Sequence, residues 1–327
     1  MKYLPHVAAL FIILIGIFFT YGKPSFTGFV VFDPTPIAET SPHAPVVLFC
    51  PRDSCRETFL FLINSSTTVD CADFDVDFPE FAELLKHREH RLVVDVHNFN
   101  KTLAQLNSKP ANGKKYMHNK FCILDHSVVI TGSMNPTYND MFRNNNNLII
   151  IQSRTLAQNY EDEFEELWGG IVNKGSATKH PLIILNNKTI ENRFCPDDDC
   201  GGAIVRALEQ ANHTIYFMAF SFTHKTIAET LIKKSSEGVV VKGVMEKQQN
   251  STNSVFPLLQ KNNVSVQWDS NKYKMHHKVF IIDNETVITG SMNPTASGAA
   301  GNDENVLIIH DPALAKKFIE EFELLGQ

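Results

Sequence analysis

The sequence lacks an excess of positive charge. Its 327 residues include 30 Lys and Arg against 36 Asp and Glu, which gives a formal net charge of -6. Non-specific affinity for phosphate backbones comes largely from clustered Lys and Arg, so this balance argues against a protein that coats nucleic acid, although it allows a local basic cleft. The chain also lacks the composition of a disordered or fibrous protein. With 43% hydrophobic residues it can bury a core in one large domain or in two smaller ones.

Cysteine is scarce, and four of the six cysteines form two similar loops. The loops are FCPRDSC and FCPDDDC, and their cysteines are Cys50, Cys55, Cys195 and Cys200. The equal gaps favour two small disulfide loops closed in an oxidising compartment. A zinc site made by all four is the alternative, but zinc pairs usually have shorter gaps and often His partners. Cys71 and Cys122 lie in apolar, strand-like stretches, where we expect free core thiols.

Residues 1–22 contain a nearly continuous apolar run from Val7 to Phe19. This run predicts a signal anchor or a cleavable signal peptide, and the poor match of residues 20–22 to a small-x-small cleavage site favours the anchor. The body of the protein is then expected outside the cytosol, membrane-anchored, or secreted if the leader is cleaved. Residues 23–45 are rich in Pro, Ser and Thr, which predicts an extended tether between membrane and body.

The rest of the chain contains the same unit twice. MHNKFCILDHSVVITGSMNPT, which begins at Met117, aligns without a gap with MHHKVFIIDNETVITGSMNPT, which begins at Met275, a shift of 158 positions (275 minus 117). The same shift carries Phe164 onto Phe322 in the helix-like segment that ends each unit. We call residues 46–178 the first copy and residues 179–327 the second copy.

Strand-like and helix-like segments alternate within each copy. This alternation predicts an α/β fold made of two tandem repeats, each a mixed sheet flanked by helices. In CADFDVDF the acidic residues alternate with apolar ones, so we expect Asp73, Asp75 and Asp77 to form the solvated face of a strand and not a metal cluster.

Each copy contains the pattern His-x-Lys-x4-Asp-x6-Gly-Ser-x-Asn. On a strand, residues i and i+2 share a face, so each copy presents an imidazole beside an ammonium group. This pairing suits phosphoryl chemistry, because Lys and the Asn amide can hold non-bridging oxygens while an imidazole attacks phosphorus or moves a proton. The residues are His118, Lys120, Asp125, Gly132, Ser133 and Asn135 in the first copy, and His276, Lys278, Asp283, Gly290, Ser291 and Asn293 in the second.

The doubled pattern resembles the HKD signature of the phospholipase D superfamily, strongly over about residues 114–172 and 272–327. The short repeats are similar to those of its bacterial Nuc-type endonucleases and mitochondrial cardiolipin hydrolases, which build one site from two identical chains. The resemblance implies two repeats packed pseudo-symmetrically around one active site. It also implies a ping-pong reaction in which one His forms a covalent phosphohistidine and the other protonates the leaving oxygen, without a metal or other cofactor.

The parity of a strand assigns roles to three further residues. Asp125 and Asp283 lie at an odd offset from their lysines, which places them on the opposite strand face, and we expect each to form a structural salt bridge. His277 faces away from His276 by the same rule, so a structural or surface role is expected. Ser133 and Ser291 are expected to support substrate binding.

One position differs between the copies. Glu304 follows His276 by 28 residues (304 minus 276), and Asn146 stands at the same offset after His118. Family members often have a carboxylate there that orients the catalytic imidazole. A carboxylate raises the pKa of a neighbouring imidazole, whereas an amide adds no charge. We therefore expect Glu304 to pair with His276 as the proton donor, and Asn146 to support His118 as the neutral nucleophile. The opposite assignment stays open, because a carboxylate would also stabilise a phosphohistidine.

The function expected from these features is phosphodiester hydrolysis, on phospholipid or on nucleic acid. The membrane-proximal segment favours phospholipid. The compact repeats and the basic residues beside the motifs, namely Lys114, Lys115, Lys272 and Lys274, favour nucleic acid, although the same lysines could contact anionic headgroups. Phosphatidyl transfer ranks third. A non-catalytic phosphate-binding protein is the remaining alternative, disfavoured because both His-Lys pairs are intact. No obligatory protein partner is implied.

Overall fold

The computed structural model describes residues 35–326. The expected signal segment, residues 1–22, and residues 23–34 of the expected tether lie outside this range. No helix within residues 35–326 has both the length and the apolar character needed to cross a bilayer.

The first copy contains strands that we number β2 to β8 and helices α1 to α4. They are β2 Val46–Cys50, α1 Cys55–Ser65, β3 Thr68–Asp73, α2 Pro79–Leu85, β4 Glu89–Asp95, β5 Ser108–Ala111, β6 Lys120–Leu124, β7 Val128–Gly132, α3 Tyr138–Phe142, β8 Asn146–Gln152 and α4 Arg154–Trp168. A short strand before them, β1, spans Ile37–Glu39.

The second copy repeats this order and adds a strand and a helix. Its elements are β9 Leu182–Leu185, β10 Lys188–Cys195, α5 Cys200–Glu209, β11 Thr214–Ala219, α6 Lys225–Ser236, β12 Val240–Met245, α7 Phe256–Lys261, β13 Ser265–Trp268, β14 Lys278–Ile282, β15 Thr286–Gly290, α8 Ala296–Ala300, β16 Glu304–His310 and α9 Pro312–Leu325. Helix α7 lies between β12 and β13, where the first copy has only a short 3-10 turn at Leu103–Gln105. Much of the extra length of the second copy is therefore a helical insertion.

Each copy forms a mixed sheet, which confirms the predicted α/β class. The first sheet has the order β2-β8-β7-β6-β3-β4-β5, and the second has the order β1-β9-β10-β16-β15-β14-β11-β12-β13. In both sheets the motif strand, β6 or β14, runs antiparallel between its hairpin partner and the first strand of a parallel set. Strand β1 pairs in parallel with β9, so residues 37–39, at the end of the expected tether, belong to the second sheet.

The two sheets share one hydrophobic core, into which α4 and α9 pack. Helix α4 buries Leu156, Tyr160, Phe164 and Leu167 along one stripe, at the spacing that places residues on one helix face. The helix begins after Ser153, whose hydroxyl accepts the Leu156 N–H at 3.0 Å, so one of its first free donors is satisfied. Its counterpart α9 buries Phe318 and Phe322 in the same core. Burial of this stripe in each copy joins the two sheets through the shared core.

The structure closes three disulfides. Cys50 is joined to Cys55 and Cys195 to Cys200, in the two loops that favoured disulfides over zinc. The expectation of free thiols at Cys71 and Cys122 was wrong. These two residues face each other on the antiparallel strands β3 and β6, with Cα atoms 4.1 Å apart, and they form the third disulfide.

We expect the Cys71–Cys122 disulfide to stabilise the fold more than the Cys50–Cys55 disulfide. Replacing the first pair by Ala should lower the free energy of unfolding by about 4 kcal/mol, and replacing the second by about 2 kcal/mol, because the restraint on the unfolded chain grows with loop length. The sequence separations are 51 and 5 residues. Urea unfolding of the two oxidised double variants measures the difference; equal losses would contradict the loop-entropy explanation.

Candidate active site

The two imidazoles lie where the copies meet. The main-chain N–H of His118 donates to the carbonyl of Asp303, and that of His276 donates to the carbonyl of Asn145, both at 2.8 Å. Asp303 and Asn145 directly precede β16 and β8. The main chain of the opposite copy therefore positions each motif histidine, and the two crossings are related by a pseudo-twofold axis.

Glu304 lies behind His118, and the predicted pairing of Glu304 with His276 is wrong. Its Oε2 is 2.7 Å from Nδ1 of His118, and the carboxylate is fully buried. It also accepts hydrogen bonds from the Ser291 hydroxyl at 2.7 Å and from the Asn302 amide at 3.1 Å. Glu304 directly follows Asp303, whose carbonyl accepts the His118 N–H. This contact between the copies therefore places the carboxylate beside the imidazole of the first copy, His118, and not beside that of its own copy.

Asn146 occupies the equivalent place behind His276. Its Oδ1 is 2.9 Å from Nδ1 of His276 and also accepts from the Ser133 hydroxyl at 3.1 Å. A second acid approaches the same ring from α3, where Oδ2 of Asp140 is 3.7 Å from Nδ1 of His276. The sequence interpretation missed Asp140. The only available signal was the alignment of the copies, which places Gly298 opposite it (298 minus 140 is again 158).

A phenylalanine packs against each imidazole. The Phe74 ring lies 4.8 Å from that of His118, and the Phe220 ring lies 4.7 Å from that of His276, measured between centroids. Each phenylalanine directly follows the strand next to the motif strand, β3 or β11. This equivalence was the signal that the sequence interpretation overlooked. The rings pack against the imidazoles at interplanar angles of 54° and 77° and restrict their rotation.

Both motif lysines are buried beside their histidines. Nζ of Lys120 donates to the His118 carbonyl at 2.8 Å, and Nζ of Lys278 donates to the His276 carbonyl at 2.6 Å. Burial lowers the pKa of Lys120 to about 8. Burial, together with the nearby Lys120 charge, lowers the pKa of Lys278 well below its ordinary value. An anion bound between the two lysines would favour their charged forms.

Asp73 is not on a solvated face, contrary to expectation. It ends β3 opposite Lys120 and is 3% exposed, while Asp77 is exposed. Burial raises the pKa of Asp73 well above its ordinary value, although the Lys120 charge opposes this. Cys71 and Cys122, which lie near Asp73, are joined in a disulfide and offer no thiolate for a metal.

The motif asparagines and serines surround the imidazoles. Asn135 donates through its side-chain amide to Asp140 at 2.7 Å, and its buried Oδ1 has no hydrogen-bond partner within residues 35–326. Asn293 lines the cavity in front of His118 and accepts the Ser221 N–H at 3.4 Å. Ser133 and Ser291 hold Asn146 and Glu304, so both serines act behind the imidazoles and not at the cavity.

Asp125 and Asp283 form main-chain hydrogen bonds where salt bridges were expected. Asp125 accepts the N–H groups of Thr67 and Thr68, both at 2.9 Å. Asp283 accepts three N–H groups, from residues 212 to 214 at 2.7 to 2.8 Å. No Lys or Arg of the described chain lies within 4 Å of either carboxylate. Both aspartates have positive φ in the tight turn after the motif strand, so they fix that hairpin to the start of β3 or β11.

His277 is fully buried, which excludes the surface role among the two expected for it. Its Nε2 lies 3.3 Å from Glu321, its Nδ1 lies 3.1 Å from the Asn147 amide, and its ring packs on Phe49. The contacts with Asn147 and Phe49 join the second copy to the first. His277 therefore has a structural role, on the side of the chain opposite to that of His276, just before β14.

A cavity of about 570 Å³ opens in front of His118. Tyr116, Phe74, Phe220, Lys114 and Lys115 are among its lining residues. A separate acidic cluster, Glu163, Glu166 and Asp197, has oxygens within 4.8 Å of one another but contributes nothing to this cavity.

The resting site favours neutral imidazoles. Burial lowers the pKa of His118, although the Glu304 carboxylate opposes this. Burial and the neighbouring Lys278 and Lys120 lower the pKa of His276 well below its ordinary value. Because each Nδ1 faces an oxygen acceptor, each ring keeps its other nitrogen, Nε2, for a ligand. The arrangement offers two such nitrogens and two ammonium groups to one phosphoryl group.

Comparisons with known proteins agree with this site. A family model described as "Cardiolipin synthase, PLD-like domain" matches residues 77–168 and 204–325, more than half of the chain. The chain is 32% identical over 139 residues to a phospholipase D of Rickettsia typhi, a match that covers 42% of this chain and 68% of that protein. It is 33% identical over 125 residues to the mitochondrial cardiolipin hydrolase of Mus musculus, over 38% of this chain and 57% of that protein.

A solved structure extends the likeness to both copies at once. The phosphatidylserine synthase of Haemophilus influenzae superposes with a TM-score of 0.64 over 85% of each chain, at 12% identity, which shows a shared fold. The family model and the Rickettsia relative carry the assignment itself. The chain belongs to the phospholipase D superfamily of phosphodiesterases.

Proposed function

We propose that the protein hydrolyses phosphodiesters through a covalent phosphohistidine, with His118 as the nucleophile and His276 as the proton donor. The observation that carries this assignment is the 2.7 Å contact between Glu304 and Nδ1 of His118. A neutral ring that donates Nδ1–H to Glu304 keeps a lone pair on Nε2. When that nitrogen bonds to phosphorus the ring becomes cationic, and the buried carboxylate stabilises the charge.

A phosphodiester anion bound beside His276 favours the cationic form of that ring, so the reaction starts with a proton on each of its two nitrogens. Nε2 of His118 attacks phosphorus while the bond to the leaving oxygen breaks, and that oxygen takes the Nε2 proton of His276. A water molecule then transfers a proton to the neutral His276 as its oxygen attacks phosphorus. The phosphorus–nitrogen bond breaks and both rings return to their starting states. Lys120 and Lys278 hold the non-bridging oxygens in both steps.

Exposed tyrosines that lie just before the two motif histidines in sequence favour single-stranded nucleic acid as the substrate class. Tyr116, which lines the cavity, and Tyr273 are 48% and 38% exposed. The guanidinium of Arg143 lies 5.3 Å from the Tyr273 ring, and Lys272 lies 5.6 Å from it. Exposed rings with adjacent cations accept stacked bases and a phosphate backbone. Phospholipid is the second candidate, favoured by the apolar segment at residues 1–22.

A direct comparison of substrates tests the proposal. The full chain in detergent, with EDTA present, should release product from single-stranded DNA or RNA at a higher rate than headgroup from phospholipid vesicles. Faster headgroup release would make phospholipid the first candidate substrate and nucleic acid the second. His118→Ala serves as the blank. If no substrate gives product above that blank, the hydrolase proposal is overturned and a phosphate-binding role is favoured.

We also propose that the catalytic body works outside the cytosol, attached to a membrane by residues 1–22. Three disulfides, which use every cysteine of the chain, fit an oxidising compartment. Protease added to sealed membrane vesicles from the secretory pathway should then leave the body intact, whereas rapid digestion would place it on the cytosolic side.

A further inference from the structure

Asp140 is a buried acid that the two motifs do not predict. It lies on α3, is 3% exposed and points Oδ2 at Nδ1 of His276 from 3.7 Å. His276 is the only basic group within 4 Å of this carboxylate in the described part of the chain. The remaining contacts of Asp140 are amides: it accepts from the Asn135 main chain and side chain at 2.8 and 2.7 Å, and from Asn144 at 2.7 Å.

The copies place their carboxylates at different positions of the same loop. The first copy has Asp140 and Asn146, and the second has Gly298 and Glu304 at the equivalent positions. Each copy therefore contributes one buried acid to the imidazole of the other copy's motif. Glu304 forms a hydrogen bond to His118. Asp140 instead lies 3.7 Å from Nδ1 of His276, and the Asn146 amide oxygen forms the closer contact with that nitrogen.

The packing explains why the second copy cannot use the position of Asp140. A Cβ at Gly298 would lie 2.3 Å from the Asn293 carbonyl oxygen and 3.2 Å from the Thr295 hydroxyl. A carboxylate at that position would have to displace the main chain of a motif residue. In the first copy, a Glu at position 146 would confront the buried Asp140, and two close carboxylates oppose each other's ionisation.

We propose that Asp140 is a positioning residue that keeps His276 in the protonated form needed to protonate the leaving oxygen. This inference rests on the proposed roles of His118 and His276. The cations that face His276 all oppose its protonation, and Asp140 supplies a nearby negative charge against them. The groups around the ring are Lys278, Lys274, Lys120 and His118, with Asp140 from α3 and with Glu304 paired to His118.

The test uses the second copy as the template for a rescue. Asp140→Asn removes the charge, and the double variant Asp140→Gly with Asn146→Glu gives the first copy the pair found in the second. With diphenyl phosphate, whose leaving group needs a proton, Asp140→Asn should lose about tenfold in kcat/KM at alkaline pH and little at acidic pH. The double variant should recover the alkaline rate.

Asn144→Ala is the matched control, because it breaks a hydrogen bond of the same carboxylate and keeps the charge. A loss that is equal at all pH values in Asp140→Asn, or a folded double variant that recovers nothing, would overturn the inference. Bis(p-nitrophenyl) phosphate separates this failure from failure of the proposed function. Its leaving group needs no proton, so Asp140→Asn should release p-nitrophenol in the first step at the wild-type rate, and absence of p-nitrophenol release by the wild type would overturn the proposed function itself.

Discussion

His118→Ala should abolish turnover of bis(p-nitrophenyl) phosphate, whereas His276→Ala should release one p-nitrophenol per molecule and then stop. The first variant lacks the nucleophile, and we expect a loss on the order of 10⁴-fold or more. The second can still form the phosphohistidine, because p-nitrophenol leaves without a proton. It cannot resolve that intermediate, since the base that activates water is missing.

The burst and the intact mass of the quenched protein measure this difference. Peptide mapping of the trapped His276→Ala protein should locate the phosphoryl group on His118. His126→Ala is the matched control, because His126 is exposed on the turn after β6 and its side chain, within residues 35–326, forms a hydrogen bond to Glu161 alone. A burst in His118→Ala, or phosphate on His276 in the wild type, would reverse the two roles.

The fold class and the placement of each motif His beside its Lys could be predicted because both follow from local periodicity. Alternation along a strand places His118 and Lys120 on one face, and the repeat shows that His276 and Lys278 do the same. The structure buries all four side chains, as a site that excludes water requires.

The partner of each imidazole could not be predicted in this way. An offset of 28 residues describes distance along the chain, and it is the same whether a loop turns toward its own histidine or toward the other one. The choice depends on the bridge between Asp303 and the segment before His118, which is a contact between copies. Sequence comparison located Glu304 as the distinctive residue, but only the packing of the copies assigns it to His118.

The Cys71–Cys122 disulfide shows the same limit. Both residues lie in apolar strands, where a free thiol is common, and their pairing depends on the antiparallel register of β3 with β6. They are 51 positions apart in the sequence, and the intervening segment includes a helix and two further strands. Local sequence gives no information on that register. In the two short Cys loops, by contrast, the spacing of the cysteines alone indicates which residues pair.

Glu304→Gln is expected to lower kcat by about 10²- to 10⁴-fold, although it preserves the shape of the side chain. The carboxylate now accepts from His118, Ser291 and Asn302. A Gln amide has one acceptor oxygen and one donor group, so it cannot accept from all of them. The ring then loses both its fixed tautomer and the negative charge that stabilises the phosphohistidine cation, as in the loss caused by a carboxylate-to-amide change in a serine protease triad.

The pH dependence separates this effect from simple misfolding. Glu304 opposes the lowering of the His118 pKa by burial, so its removal lowers that pKa further. The nucleophile then stays neutral to lower pH, and the loss in kcat/KM should be smaller at acidic than at alkaline pH. Asp140→Asn should also lose more at alkaline than at acidic pH, because it weakens the protonated form of His276, but it should leave the first step with bis(p-nitrophenyl) phosphate unchanged, whereas Glu304→Gln should slow that step.

Ser291→Ala is the graded control for Glu304→Gln. It removes one hydrogen bond from a hydroxyl to the same carboxylate and keeps the negative charge, so we expect a loss of roughly tenfold, consistent with about 1.5 kcal/mol for such a bond. Circular dichroism and urea unfolding of both variants establish that the fold is retained. If the folded Glu304→Gln protein retains kcat within about threefold of the wild-type value, the buried carboxylate only orients the ring. The charge on the phosphohistidine would then have to be balanced by the transferred phosphoryl group alone.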